Sequence, residues 1–125
     1  MAAEKILIVD DEPHILRSLG FVLQRADYEV LQARSGAEAL RLVKEERPDL
    51  VFLDIMMPEP DGYEVCRRIK SSDQTAGIYV IMLTAKGQET DRQRSLEVGA
   101  DEYMTKPFSP SRAVERVRRA LGRTD

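Results

Sequence analysis

Short apolar runs and helically spaced apolar positions alternate five times along the chain. Ile6-Leu7-Ile8-Val9 and Leu50-Val51-Phe52-Leu53 are unbroken apolar stretches of strand length, the pattern of strands buried on both faces. Val30 to Ala33, Ile78 to Leu83 and Glu102 to Thr105 are further strand candidates. Helical patterns fall between them. Pro13, after Asp11-Glu12, suits a first helical position, and Leu16, Leu19, Leu23 and Ala26 share one face behind it. Ser35-Gly36-Ala37-Glu38 reads as a capping box opening a second helix, with Leu40 and Val43 inward, and Pro48 closes it. A third helix covers about Tyr63 to Ile69, with Cys66 and Ile69 on its apolar side. The fourth, about Glu89 to Val98, differs from the others. Gln88 through Ser95 contains no large apolar residue, which leaves Leu96 and Val98 as anchors. So little apolar surface predicts a mobile helix, and Gly99 is placed to end it. Ser109-Pro110 opens the fifth, with Val114, Val117 and Leu121 inward.

Strands alternating with helices imply βαβ units, a mostly parallel sheet and a doubly wound α/β layer with helices on both faces. The 125 residues contain no linker, repeat or low-complexity stretch, so residues 1–125 read as a single domain with no output segment visible. Cys66 is the single cysteine and cannot form an internal disulfide. The only histidine, His14, is distant in sequence, so Cys66 reads as a half-buried helical thiol in a reduced, cytoplasmic setting. Neither a signal peptide nor a long apolar run is present, which predicts no membrane span. The net charge of −3 argues against a general nucleic-acid binder. Five arginines (112, 116, 118, 119 and 123) nevertheless gather near the carboxyl end against Glu115. They form either the solvated face of a terminal helix or a contact surface for a partner or following domain.

The strand ends carry the candidate chemistry. Asp10 and Asp11 follow the first strand, Asp54 the third, Thr84 the fourth and Lys106-Pro107 the fifth. In an open α/β sheet those ends converge on one crevice. A carboxylate ending a buried strand is costly unless its charge is used. Asp10, Asp11 and Asp54 offer the oxygen ligands that Mg²⁺ prefers, and without a cation they would repel one another. Capping of the first helix by Asp10-Asp11 is the plainer role and is compatible with metal binding. Asp54 is the candidate phosphate acceptor, since a carboxylate nucleophile on phosphorus forms an acyl phosphate. Mg²⁺ and Lys106 would neutralise the transferring group and the Thr84 hydroxyl would donate to it.

Asp10-Asp11, the segment Asp54-Ile55-Met56-Met57-Pro58-Glu59-Pro60-Asp61-Gly62, Thr84-Ala85 and Lys106-Pro107-Phe108 together resemble the CheY-like receiver domain of two-component response regulators. The match runs over essentially the whole chain. The resemblance implies a flavodoxin-like doubly wound (βα)5 three-layer sandwich with sheet order 2-1-3-4-5, the order of which CheY is a type example. It implies that a sensor histidine kinase or phosphotransfer protein gives its phosphoryl group to Asp54. Asp11, Asp54 and the Met56 backbone carbonyl would hold Mg²⁺, with Asp10 acting through water, and Thr84 and Lys106 would bind the phosphoryl oxygens. It also implies a switch in which Thr84 moves toward the phosphoryl group and Tyr103 turns inward. That movement remodels the surface of the fourth helix, fifth strand and fifth helix for a downstream protein or output domain. The domain would catalyse only its own phosphorylation and dephosphorylation and would not itself bind nucleic acid.

Gly99 to Tyr103 and Lys106 to Pro110 are similar to receivers of the OmpR/PhoB type, which precede winged-helix DNA-binding domains and dimerise on phosphorylation. Arg92, Glu97, Asp101, Arg116 and Arg118 match charges used in that dimer. Arg112 stands where a glutamate is usual and Ala113 where leucine is usual, so two cations would oppose each other. The resemblance therefore implies a phosphorylation-dependent homodimer that Arg112 weakens or reshapes. Pro60 is a milder departure. A phosphohydrolase of the haloacid-dehalogenase type would need an aspartate two residues beyond the nucleophile, where this chain has Met56. A nucleotide site would need a glycine-rich loop, where this chain has Asp10-Asp11-Glu12-Pro13.

Overall fold

The computed structural model describes residues 3–85 and 89–122. Gln88 and Arg123 lie outside the described residues, as does the Glu89 side chain. The elements follow the alternation in the sequence: β1 (Lys5–Val9), α1 (Pro13–Arg25), β2 (Glu29–Ala33), α2 (Gly36–Glu46), β3 (Leu50–Asp54), α3 (Gly62–Ser71), β4 (Tyr79–Thr84), α4 (Glu89–Glu97), β5 (Glu102–Thr105) and α5 (Pro110–Ala120). The five strands are all parallel, in the order β2-β1-β3-β4-β5.

The two-residue strand period divides the core into two layers. Leu7, Val9, Val51, Leu53, Val80 and Met82 face Ala39 and Val43 of α2 and Val65, Cys66 and Ile69 of α3. Ile6, Ile8, Leu50, Phe52, Ile81 and Leu83 face Leu16, Leu19 and Leu23 of α1 and Ala113, Val114 and Val117 of α5. This is the expected three-layer sandwich. Ala26, Leu40 and Leu121 sit half-buried at the margins of these layers.

Most predicted caps form. The Ser35 hydroxyl accepts from the Glu38 N–H, and the Glu38 carboxylate accepts from the Arg34 N–H. Ser109 caps α5 by accepting from the Arg112 N–H, and Gly99 closes α4 with φ +92°. Two expectations fail. Glu12, not Asp11, occupies the cap position of α1, and no side chain caps that helix. Leu96 is 55% exposed rather than an inward anchor, and among the described side chains of α4 the buried one is Ser95. Val98, just past the helix, is half-buried as expected.

Candidate functional site

Strand register builds the site. Val9 pairs with Leu53, Asp54 with Leu83 and Thr84 with Thr105, so the carboxyl ends of β1, β3, β4 and β5 stand side by side. Backbone bonds just beyond the strands tie these ends together: Asp10 N–H to Ala33 O (3.1 Å), Ile55 N–H to Leu83 O (3.0 Å) and Lys106 N–H to Thr84 O (2.6 Å). Asp10, Asp54 and Thr84 are buried, whereas Asp11 is exposed at the mouth. One carboxylate oxygen from each of Asp10, Asp11 and Asp54 lies within 4.8 Å of the other two.

Lys106 reaches into this cluster. Its Nζ lies 2.7 Å from Asp10 Oδ2, 3.7 Å from Asp54 Oδ1 and 3.9 Å from Glu12 Oε1. The Asp10 Oδ1 atom accepts from the Glu12 N–H (2.9 Å), and Asp54 Oδ1 accepts from the Met56 N–H (3.2 Å). Burial pushes the Asp54 carboxyl up to about 6, with the neighbouring Asp10 adding to the shift and Lys106 and the Met56 N–H opposing it. Burial works against the Lys106 charge, but the hydrogen bond to Asp10 and the charges of Asp54 and Glu12 outweigh it and raise its pKa. Asp54 is thus a crowded, partly neutralised carboxylate. Clustered hard oxygen donors with a net negative balance fit a divalent cation of the Mg²⁺ class.

The structure brings together Asp10, Asp11, Asp54 and Lys106, and sets Thr84 on the neighbouring strand end. Met56 follows Asp54 with its side chain exposed. Tyr103 lies elsewhere: half-buried on β5, it lines a pocket of about 340 Å³ with Ser95, Leu96 and Arg116. The Lys106–Pro107 and Glu59–Pro60 bonds are both cis. On this far face Arg116 pairs with Glu102 (2.5 Å), which also accepts from the Tyr79 hydroxyl, and Asp101 pairs with Lys70 (2.8 Å). Arg112 is exposed on α5.

Several residues that sequence reasoning passed over also shape the site. Glu12 extends the acidic cluster, and its position directly after Asp10-Asp11 was the available signal. Gly62 starts α3 against Asp54 itself: a Cβ there would lie 2.4 Å from the Asp54 carbonyl oxygen and 2.7 Å from Ile55 Cα. Asp91, on α4, accepts from both Thr84 and Tyr63. Among the described residues no helix is long and apolar enough to cross a membrane.

Residues 6–118 match the model of the response regulator receiver domain. The chain is 46% identical, over 98% of its length and 50% of the relative's, to the alkaline phosphatase synthesis transcriptional regulatory protein PhoP of Bacillus subtilis. It is 45% identical, over 99% of its length and 54% of the relative's, to the phosphate regulon transcriptional regulatory protein PhoB of Pseudomonas aeruginosa. It therefore spans about half the length of these curated relatives. The solved chemotaxis protein CheY4 of Vibrio cholerae superposes with a TM-score of 0.90 at 32% identity, covering 96% of this chain and all of that one.

Proposed function

The chain belongs to the response regulator receiver domain family of two-component signalling, and from that membership we propose that its Asp54 is the residue that accepts a phosphoryl group. Membership places the chain among regulators rather than conventional enzymes. The observation that carries the assignment is the convergence of Asp54 with Asp10, Asp11 and Lys106 at the carboxyl ends of adjacent strands. The donor is a phosphohistidine on a sensor kinase or a phosphotransfer protein. An Asp54 carboxylate oxygen forms the new bond to phosphorus as the bond from phosphorus to the imidazole nitrogen breaks, and the histidine is regenerated. Asp11, Asp54 and the Met56 carbonyl would hold Mg²⁺, with Asp10 acting through water. When bound there, the ion supplies charge neutralisation at the phosphoryl oxygens.

Lys106 supplies a fixed positive charge beside the acceptor, and Thr84 supplies a hydroxyl donor. The domain's own chemistry is limited to gaining and losing this group. Its readout runs through Thr84, Tyr103 and the surface of α4, β5 and α5, toward a downstream protein or an output domain, in the cytoplasm. Residues 1–125 act as one receiver unit with no nucleic-acid contact of their own.

Asp101 and Arg116, two of the charges suited to a symmetric dimer through this surface, are already paired within the chain to Lys70 and Glu102. Arg112 adds like-charge repulsion across the two-fold axis, so such a dimer is weakened or reshaped. Sedimentation with and without a phosphoryl mimic tests this, and a tight symmetric dimer through α5 would overturn it. The phosphoacceptor assignment is tested by intact mass after incubation with Mg²⁺ and a small phosphodonor. One added phosphoryl group is expected, absent in Asp54→Asn and absent without Mg²⁺. No adduct on the unsubstituted chain would defeat the assignment.

A further inference from the structure

The Thr84 hydroxyl is committed to a partner outside the acidic cluster. Its Oγ1 donates to Asp91 Oδ2 at 3.2 Å. The other oxygen of the same carboxylate, Oδ1, accepts from the Tyr63 hydroxyl at 3.2 Å. Tyr63 is a buried residue of α3, and the Arg94 guanidinium lies over its ring, 4.3 Å from the centroid. Asp91 thereby bridges the end of β4 to α3 from the first turn of α4. Among the described side chains of α4, Leu96 is exposed and only Ser95 is buried, so their apolar packing adds little hold.

A hydroxyl has one hydrogen to donate. While Thr84 gives it to Asp91, none is left for a phosphoryl oxygen on Asp54. We infer that Asp91 is a positioning residue that holds the Thr84 hydroxyl off the phosphoryl site, so that a group on Asp54 and the carboxylate of α4 compete for one hydrogen. The inference rests on Asp54 being the phosphoacceptor. A phosphoryl group draws Thr84 away from Asp91 and removes a bond that ties α4 to β4. Conversely, the Asp91 bond lowers the fraction of molecules ready for the phosphoryl group, and apparent affinity falls by that fraction. Removing a hydrogen bond to a charged acceptor changes such an equilibrium by about tenfold.

Beryllofluoride, a mimic of the acyl phosphate, is titrated in the presence of Mg²⁺ and followed by ¹⁹F NMR. Asp91→Ala is expected to tighten binding about tenfold. Asp91→Asn keeps one acceptor oxygen and should give a smaller gain. In a Thr84→Ala background, Asp91→Ala should have no further effect, because the competing hydroxyl is gone. A residue that merely anchors α4 would change stability in both backgrounds and affinity in neither. Unchanged or weakened binding in a natively folded Asp91→Ala overturns the inference, as does an equal gain in the Thr84→Ala background. If Asp91→Ala does not fold, Asp91→Asn is judged by the same criteria. An unsubstituted chain that fails to bind beryllofluoride overturns the phosphoacceptor reading and this inference together, whereas normal binding with an inert Asp91 overturns this inference alone.

Discussion

α3 and α4 both reach the acidic crevice, yet they are fixed to the sheet by different means. α3 buries Gly62, Tyr63, Val65, Cys66 and Ile69, is capped by the Asp61 side chain and presses Gly62 onto the Asp54 carbonyl. Among the described side chains of α4 only Ser95 is buried, and the helix is tied to its neighbours through Asp91. Apolar burial holds an element in one place because any displacement exposes surface to water. A hydrogen bond to a polar partner can be exchanged for another at little net cost. The Asp54 side of the crevice is thus built on a rigid element and the Thr84 side on an exchangeable one. That division suits a site that must keep one carboxylate fixed while a neighbouring helix changes its contacts.

Thiol labelling separates the two helices most strongly. Cys66 is fully buried, and burial pushes its thiol up to about 11, with Lys70 only partly opposing. Its alkylation at neutral pH should run at least ~1000-fold slower than in the urea-unfolded chain, because the site must open by several kcal/mol. A cysteine introduced by Leu96→Cys should label at nearly the unfolded rate. Comparable protection at both positions would break the contrast.

The next largest effect is on stability. Ile69→Ala removes a side chain that is 1% exposed and should lower the urea-unfolding free energy by about 2–4 kcal/mol. Leu96→Ala should change it by less than about 0.5 kcal/mol. Closer to the chemistry, Asp54→Asn removes a carboxylate that burial and Asp10 disfavour. The metal-free variant should gain about 1–2 kcal/mol. Mg²⁺ should raise the Tm of the unsubstituted chain and leave that of the variant nearly unchanged. A metal-free Asp54→Asn that is less stable would mean that Lys106 outweighs the crowding.

The contrast between the helices also marks where sequence reasoning succeeds. β1 and β3 are legible because both faces of each are covered, so residues 6–9 and 50–53 are unbroken apolar runs until Asp10 and Asp54 interrupt them. Those interruptions locate the site, and alternation of elements brings them to one edge. α4 defeats the same logic. An apolar residue at helical spacing reads as inward, but the inward positions here are Asp91 and Ser95, four apart, and Leu96 points to solvent. Periodicity of apolar residues cannot find a face that is polar. Asp11 is a related case: Glu12 takes the cap position of α1 and Asp10 accepts from the Glu12 N–H, and both depend on how the chain leaves β1. The roles of Gly62 and Asp91 depend on how consecutive elements fold back on each other, Gly62 onto Asp54 and Asp91 onto Thr84, and on the reach of Asp91 to Tyr63 of α3, none of which apolar periodicity records.

The smallest effect concerns the outer surface of α3. Glu64 accepts from Arg67 (3.1 and 2.6 Å) and from Arg68 (2.8 Å), and these hydrogen bonds lower its pKa. A carboxyl with a depressed folded-state pKa stabilises the fold above its unfolded value, near 4.5, and that contribution is lost as the pH falls through the lowered value. Glu64→Gln should therefore shift the urea midpoint slightly downward at pH 7, and the two proteins should converge as the solution is acidified. The difference at pH 7 should also shrink in high salt, since all three side chains meet solvent. A shift as large as that of Ile69→Ala would mean that α3 too is held chiefly by exchangeable polar contacts, and its distinction from α4 would collapse.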